Sequence, residues 1–254
     1  MQTMRLAASI FAISIALPSV SCSAQNQAIP FVGCPGDGQV GPIEAPTGDP
    51  RALSVDVNVA NQLAYYSTGS LGVYAPRGWN CFYWYGSAGT TLFVAPGNVR
   101  GVSFPIEGPA MVVDVSIGGT SGRFGVARFA ATFFPTRIVE FVDRIRREDL
   151  ELTPETPLEA GPFPDDSVTY TSPTTMELRT PPGREGLCTE DYFKKSSAPI
   201  VGALHLDDTV PSEPDLYILC ISMPEESDNL SKQIIKLSWS PNNALQPTAA
   251  SGGG

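Results

Sequence analysis

The sequence predicts an α+β fold rich in strands, with antiparallel sheet layers closed by two amphipathic helices. Short apolar or alternating segments, typical of strands, recur along the chain between Gly, Pro, Asn and Asp residues. Only two segments show the periodicity of an amphipathic helix. The 24 glycines and 24 prolines are spread over 254 residues, so we expect short elements.

The N-terminus has the order of parts of a secretory signal peptide. Arg5 supplies a positive charge, residues 6–17 are apolar and uncharged, and Pro18 ends this run. Small residues over 21–24 form a cleavage site. We therefore predict a signal peptide over 1–24, a mature chain that starts at Gln25, and a secreted or periplasmic protein.

Two alternatives to this cleavage stay open. Cleavage before Cys22 would give an anchored lipoprotein, although such signals usually carry an aliphatic residue three positions upstream, where this chain has Ser19. A retained anchor would need about 20 apolar residues, more than the run provides. No later run is long and apolar enough to cross a membrane, so we expect no transmembrane segment after signal cleavage.

Charge and cysteines limit the partners and the redox compartment. There are 26 acidic and 16 basic residues, a net charge of −10, which argues against nucleic acid and anionic membranes as partners. Four cysteines follow Cys22, and an even number in an oxidising compartment predicts two disulfides. Of the three connectivities we favour pairing within each half of the chain, Cys34–Cys81 and Cys188–Cys220.

Changes in composition divide the chain into segments. Proline and acidic residues separate two β-rich halves, and each half ends in an amphipathic helix. Two related halves and a coincidence of turn residues both explain this repetition. The predicted segments after the signal peptide are an extended Gly/Pro-rich arm (25–50), a first half (51–148), an acidic Pro-rich linker (149–166), a second half (167–240) and a disordered tail (241–254).

The elements of the first half follow from their patterns. The apolar runs Leu71–Ala75 and Thr91–Ala95 flank an aromatic stretch. In order, we further expect a strand over Leu53–Val59, one or two helical turns over Ala60–Ser67, strands over Val102–Ile106 and Met111–Ile117, a strand-like run over Arg123–Phe133, and a helix over Pro135–Asp149.

Glycines cluster in Gly118–Gly122, between two of these predicted strands. A phosphate-binding P-loop would need Gly-Lys-Ser/Thr, which is absent. A dinucleotide fingerprint would need a helix after the glycines, where the pattern predicts a strand. We therefore predict a hairpin turn.

The second half is shorter and ends in a helix. We expect the helix to be capped by Asp228 and ended by Pro241. Four strands are predicted before it, over Val168–Tyr170, Met176–Arg179, Ile200–Leu206 and Leu216–Met223.

The stretch from Trp79 to Tyr85 is the one around which we expect the chain to be organised. In an extended segment its side chains alternate between two faces, and here both faces are largely apolar. The favoured prediction is that one face lies buried beneath the arm, held there by Cys34–Cys81. The alternative is an exposed aromatic platform that binds a sugar or a peptide through Arg77, Trp79, Tyr83 and Tyr85.

Residues for catalysis or metal binding are few. The only histidine, His205, alternates with Leu204 and Leu206 and is expected to face solvent. The chain has no Gly-x-Ser-x-Gly motif, which carries the nucleophilic serine of many hydrolases. The glycine-flanked serines are Ser87 and Ser121. Four acids lie in one loop without EF-hand spacing: Asp207, Asp208, Glu213 and Asp215. We predict no catalytic residue, metal site or cofactor.

The segment Ala-Pro-Arg-Gly-Trp-x-Cys-Phe over Ala75–Phe82 resembles a segment of uncharacterised exported bacterial proteins. The end of the chain, NNALQPTAASGGG, resembles translated recombination-site sequence of mobile gene cassettes. Neither resemblance implies an activity. We therefore expect a non-catalytic binding or structural module of the cell envelope, with an envelope polysaccharide or protein as partner. The alternative is a hydrolase that acts on an envelope polymer through carboxylates the sequence does not single out.

Overall fold

A computed structural model describes residues 25–101, 103–148 and 158–239. The predicted signal peptide, the first part of the acidic linker and the predicted tail lie outside the described residues.

The described residues form 13 strands and five α-helices. The strands are β1 (Gln25–Ile29), β2 (Phe31–Gly33), β3 (Gly36–Gly38), β4 (Arg51–Val55), β5 (Leu63–Ser67), β6 (Gly72–Pro76), β7 (Asn80–Gly86), β8 (Gly89–Ala95), β9 (Ala110–Ile117), β10 (Ser167–Ser172), β11 (Thr175–Thr180), β12 (Ile200–Asp207) and β13 (Asp215–Ser222). The helices are α1 (Val57–Gln62), α2 (Arg123–Phe133), α3 (Val139–Glu148), α4 (Leu187–Asp191) and α5 (Asp228–Ser238).

Eight strands form one mixed sheet in the order β10-β11-β12-β13-β9-β8-β7-β3. All neighbours are antiparallel except β3 and β7, which are parallel. Strands β9 and β13 pair over their full length, from Ala110 opposite Ser222 to Ile117 opposite Asp215. The two halves of the chain therefore share one sheet, and the α+β fold class is confirmed. Their relation by duplication stays a prediction.

The N-terminal arm contributes a strand to each of three sheets. Strand β1 pairs with β4 in a two-stranded sheet, β2 pairs with β5 in the sheet β2-β5-β6, and β3 pairs with β7 at the edge of the large sheet. The arm is extended, as predicted, and links the small sheets to the large one.

Apolar side chains cover both faces of the large sheet. On one face Leu92 and Leu219 join a core cluster with Tyr66 of β5 and Ile234 of α5. On the other face a second cluster joins strand residues to α2 and α3, including Phe93, Val112, Ile218, Phe129 and Phe141. Strands that are buried on both faces carry nearly continuous apolar runs, which explains the sequences of β9 and β13.

The segment Arg123–Phe133 is a helix, so its prediction as a strand was wrong. Its buried residues recur at three- and four-residue spacing, as in Val126, Phe129 and Phe133, but further apolar residues between them hide this stripe. Gly125 within the helix also resembled a strand or turn residue. A Cβ there would lie 3.1 Å from Ser116 Oγ, so glycine allows α2 to approach β9 closely.

Gly118–Gly122 therefore connects a strand to a helix and is not the predicted hairpin turn. The sheet beside it is antiparallel, unlike the parallel sheet of a dinucleotide-binding fold. A Cβ on Gly122 would lie 2.0 Å from the Ala88 carbonyl oxygen. Close backbone packing thus requires glycine at this position.

Other boundaries differ locally from the predictions. Val57–Gln62 is helical and Leu63–Ser67 is a strand, so the predicted strand over Leu53–Val59 ends early and the predicted helical turns are misplaced. Of the predicted strand Val102–Ile106, only Ile106 forms a β-bridge, while residue 102 lies outside the described residues. The four strands predicted in the second half are confirmed as β10 to β13.

The two predicted amphipathic helices are present, with slightly different starting residues. Helix α3 begins at Val139, and α5 begins at Asp228 with Ser227, rather than Asp228, at the cap position. Residues 158–166 of the predicted linker include the buried side chains of Leu158 and Ala160. These pack in the second core cluster, the one that joins the large sheet to α2 and α3.

Both predicted disulfides are confirmed. Cys34 and Cys81 have their Cα atoms 5.2 Å apart, and those of Cys188 and Cys220 are 5.8 Å apart. The first bond fixes the arm to β7, and the second fixes α4 to β13. Two such bonds are typical of proteins in an oxidising environment.

Candidate functional site

One face of β7 is buried beneath the arm. Tyr83 is 5% exposed, and a Cβ added to Gly36 of β3 would lie 2.4 Å from the Tyr83 Cζ atom. The hydroxyl of Tyr85 donates to the Gly41 carbonyl oxygen at 2.6 Å. The favoured prediction, burial of this face beneath an arm held by Cys34–Cys81, is confirmed for Tyr83.

Arg77 is fixed to backbone at the end of α1. Its Nε donates to the Leu63 carbonyl oxygen at 3.2 Å, and its Nη2 donates to that of Ala60 at 3.1 Å. These contacts hold the turn between β6 and β7. Arg77 itself is exposed, whereas Tyr83 lies in the core.

Trp79 is half-buried and anchored by its backbone. Its N–H donates to the hydroxyl of Tyr66 at 3.0 Å, and that hydroxyl donates to the Pro76 carbonyl oxygen at 2.7 Å. Burial raises the pKa of Tyr66 to about 12, so the hydroxyl keeps its proton. The structure thus does not bring Arg77, Trp79, Tyr83 and Tyr85 together on one exposed surface, and binding through them stays a prediction.

Opposite the arm, β7 and the loop after β8 form a partly exposed row that we call the aromatic strip, made of Asn80, Phe82, Trp84, Arg100 and Phe104. Phe82 within this row is buried, at 8% exposed. Alternate strand residues lie about 7 Å apart on one face. Trp84 is 37% exposed and Phe104 is 38% exposed, with their ring centroids 6.0 Å apart. Trp84 also meets the buried Phe93 ring of the adjacent strand β8 edge-on, with the ring centroids 5.0 Å apart. This contact holds the Trp84 ring in place.

A groove of about 490 Å³ opens at the Asn80 end of the strip. The Asn80 side-chain amide donates to the Gly97 carbonyl oxygen at 3.1 Å, which holds the loop after β8. The guanidinium carbon of Arg100 lies 6.0 Å from the Phe82 ring centroid. We call this the Trp79 groove, and its lining is Val32, Gly33, Pro35, Trp79, Asn80, Cys81, Asn98, Val99 and Arg100.

A partly buried carboxyl lies on the same face of the sheet, one strand beyond Thr91. Thr91 Oγ1 donates to Asp114 Oδ1 at 2.5 Å, and the Tyr192 hydroxyl also hydrogen-bonds to Asp114. Burial raises the pKa of Asp114, against the effect of these hydroxyls, and the nearby Asp191 raises it further. Tyr192 in turn lies 6.1 Å from Phe104, centroid to centroid, which connects Asp114 to the strip.

The Cys188–Cys220 bond positions Tyr192 beside Asp114. Tyr192 follows α4 directly, and α4 carries Cys188. Burial, together with the Asp114 carboxylate, raises the pKa of Tyr192 well above its usual value, so its hydroxyl stays protonated. The disulfide thus holds a protonated phenol against the partly buried carboxyl.

His205 is partly buried and does not face solvent as expected. It shares a face with Tyr217, and its ring lies 5.2 Å from that of Trp239. Its Nδ1 and Thr175 Oγ1 are 2.8 Å apart. Burial lowers the pKa of His205, although Asp207 acts in the opposite direction.

The remaining polar residues that the sequence singled out make ordinary structural contacts. Ser87 and Ser121 hydrogen-bond to each other at 2.9 Å. Asp208 accepts from Arg137 Nε at 2.9 Å, and Asp215 accepts from the Gly118 N–H at 3.1 Å. Across the described ranges no group of three or more His, Cys, Asp or Glu residues could hold a metal ion.

Comparisons with protein-family models, curated proteins and solved structures give no match. Among the residues with described structure, no helix has the length and apolar character needed to span a membrane.

Sequence reasoning did not single out Arg100, Phe104 or Asp114. A signal was present for β7, because strict alternation already placed Phe82 and Trp84 on one face. Arg100 and Phe104 come from an irregular loop, where no periodicity predicts direction.

Proposed function

We propose that the protein is a non-catalytic binding module of the bacterial cell envelope, which holds an extended polymer along the aromatic strip. The observation that carries this proposal is the contact between Trp84 of β7 and Phe104 of the loop after β8, two large aromatic side chains that are each more than one third exposed. Sugar rings present C–H faces that pack well against the negative face of an aromatic ring. A row of such residues suits an elongated ligand.

The residues that support the aromatic strip are rigidly held, which favours a role in ligand binding. Trp84 rests on Phe93, which is 1% exposed, and Cys34–Cys81 fixes the wall of the neighbouring groove. A site on a rigid sheet loses little conformational entropy when the ligand binds. The strip therefore needs no rearrangement to meet its partner.

The test is co-sedimentation with isolated peptidoglycan sacculi, an insoluble envelope polysaccharide. We expect the parent protein to sediment with the sacculi and Trp84→Ala to lose at least about tenfold in affinity, the usual loss when an interface aromatic is truncated. Phe124→Ala is the matched control, because Phe124 is an exposed aromatic on α2 away from the strip. Equal sedimentation of parent and Trp84→Ala would contradict the proposal.

One observation favours the alternative, a hydrolase that acts on the same polymer. The environments of Asp114 and Asp191 differ, since Asp114 has a raised pKa from burial and Asp191 is exposed. Such pairs supply the acid and the base in some glycosidases. Release of new reducing ends from sacculi by the parent but not by Asp114→Asn would favour this hydrolase.

Export is part of the proposal. We propose that the mature chain starts at Gln25, with a lipoprotein anchored at Cys22 as the alternative. The intact mass of the exported protein decides between them, and a chain that retains Met1 would contradict both.

A further inference from the structure

Arg100 has no acidic partner among the residues that the structure describes. Within residues 25–101, 103–148 and 158–239, no carboxylate forms an ion pair with it, although the chain has ten more acids than bases. Its described side-chain contact is the Phe82 ring. Two other basic residues are paired, Arg179 of β11 with Asp228 and Lys194 with Glu107.

The loop that carries Arg100 is held in place. Val99 is 3% exposed and anchors the loop in the protein, and the Arg100 N–H donates to Asn98 Oδ1 at 3.0 Å. A guanidinium on a fixed loop loses less freedom on pairing than one on a mobile loop. Arg100 therefore presents its donors at the junction of the Trp79 groove and the aromatic strip.

Acidic residues near the strip lie away from this junction. Asp37 lies opposite Trp84 on the edge strand β3, and Glu107 is paired with Lys194. Asp114 lies on the same face of the sheet, two strands across from Trp84, and hydrogen-bonds to hydroxyls. None of these three carboxylates is paired with Arg100, so its guanidinium stays open to an anionic ligand.

The geometry points to an acidic polysaccharide, with carboxylates on its sugar units, as the ligand of this surface. A carboxylate would pair with the Arg100 guanidinium, which matches its planar geometry with two parallel N–H donors. The side-chain amides of Asn80 and Asn98 line the same groove within reach of sugar hydroxyls, and Trp79 supplies an apolar wall. This inference rests on the proposed function and adds the chemical class of the polymer.

The test compares two soluble probes with the same sugar backbone, polygalacturonate and its fully methyl-esterified form, in which an uncharged methyl ester replaces each carboxylate. We expect the parent to bind the acid form at least about tenfold more tightly than the ester, as expected for one charge-assisted contact. The difference should shrink as salt screens the charges. Arg100→Gln should remove the preference, Arg100→Lys should retain part of it, and Arg184→Gln, the same charge change at an exposed site away from the groove, should leave it intact.

The outcomes separate this inference from the proposed function. If both probes bind equally and Trp84→Ala abolishes both, the strip is a glycan surface and the acidic preference is wrong. If Arg100→Gln keeps the preference, or if the parent binds neither probe, the inference is also overturned. In each case sedimentation with sacculi still decides the proposed function by itself.

Discussion

Gly36→Ala tests whether the arm covers the aromatic face of β7. A Cβ at this position would lie 2.4 Å from Cζ of Tyr83 and 2.5 Å from its Cε1, distances that real Cβ atoms do not show. The arm cannot easily move away, because Cys34 two residues earlier is bonded to Cys81. The substitution therefore forces either β3 or the Tyr83 ring out of place.

The expected destabilisation is about 1–3 kcal/mol, the usual cost of overpacking a filled core. For a protein of this size it corresponds to a fall in Tm of about 2–4 °C per kcal/mol. Gly97→Ala is the control, since a Cβ there has nothing within 4 Å, and its change in Tm should be small. Both variants make the same chemical change and differ in what the new methyl group meets.

A double-mutant cycle identifies the atoms responsible. Tyr83→Leu removes the end of the ring that the new Cβ would meet, so Gly36→Ala should cost much less in this background. We expect a coupling free energy of about 1–2 kcal/mol, within the range for residues in contact. Urea unfolding of the four proteins measures it. If Gly36→Ala costs the same in both backgrounds, or no more than Gly97→Ala, the arm does not cover Tyr83 as described.

Three further predictions concern the sheet and its cross-links. Tyr83→Ala should lower the free energy of unfolding by about 3–5 kcal/mol, as truncations of buried aromatic residues do. Trp84→Ala should cost less, because Trp84 is partly exposed. A larger loss for Trp84→Ala in urea unfolding would contradict the burial of these side chains. Because burial raises the pKa of Asp114, the folded state binds more protons than the unfolded state, so this residue's contribution to stability falls as pH rises from the ordinary carboxyl pKa through the raised folded value. Asp114→Asn should therefore gain stability relative to the parent over that pH window, and a pH-independent difference in Tm would refute this. Removing either disulfide by a double Cys→Ser change should cost about 4 kcal/mol from chain entropy, and peptide mapping without reduction should find no free thiol.

Features that depend on local pattern could be predicted from the amino-acid sequence. Short apolar runs bounded by turn residues predicted β9, β12 and β13, because runs of this length that are rich in β-branched residues are typical of buried strands. Cysteine count and spacing predicted both disulfides. Alternation along β7 also predicted which side chains share a face, since a strand places successive residues on opposite sides.

Which face of β7 lies beneath the arm depends on the packing of the folded chain. Both faces are apolar, so the pattern does not distinguish them, and the choice depends on where the arm pairs, with Gly36 against Tyr83. The helix α2 was missed for a related reason, because its apolar residues are too many to outline one stripe, and packing on β9 and β13 selects its conformation. Phe104 and Asp114 both meet Tyr192, which is distant from them in sequence, and contacts of that kind leave no periodic signal in the chain.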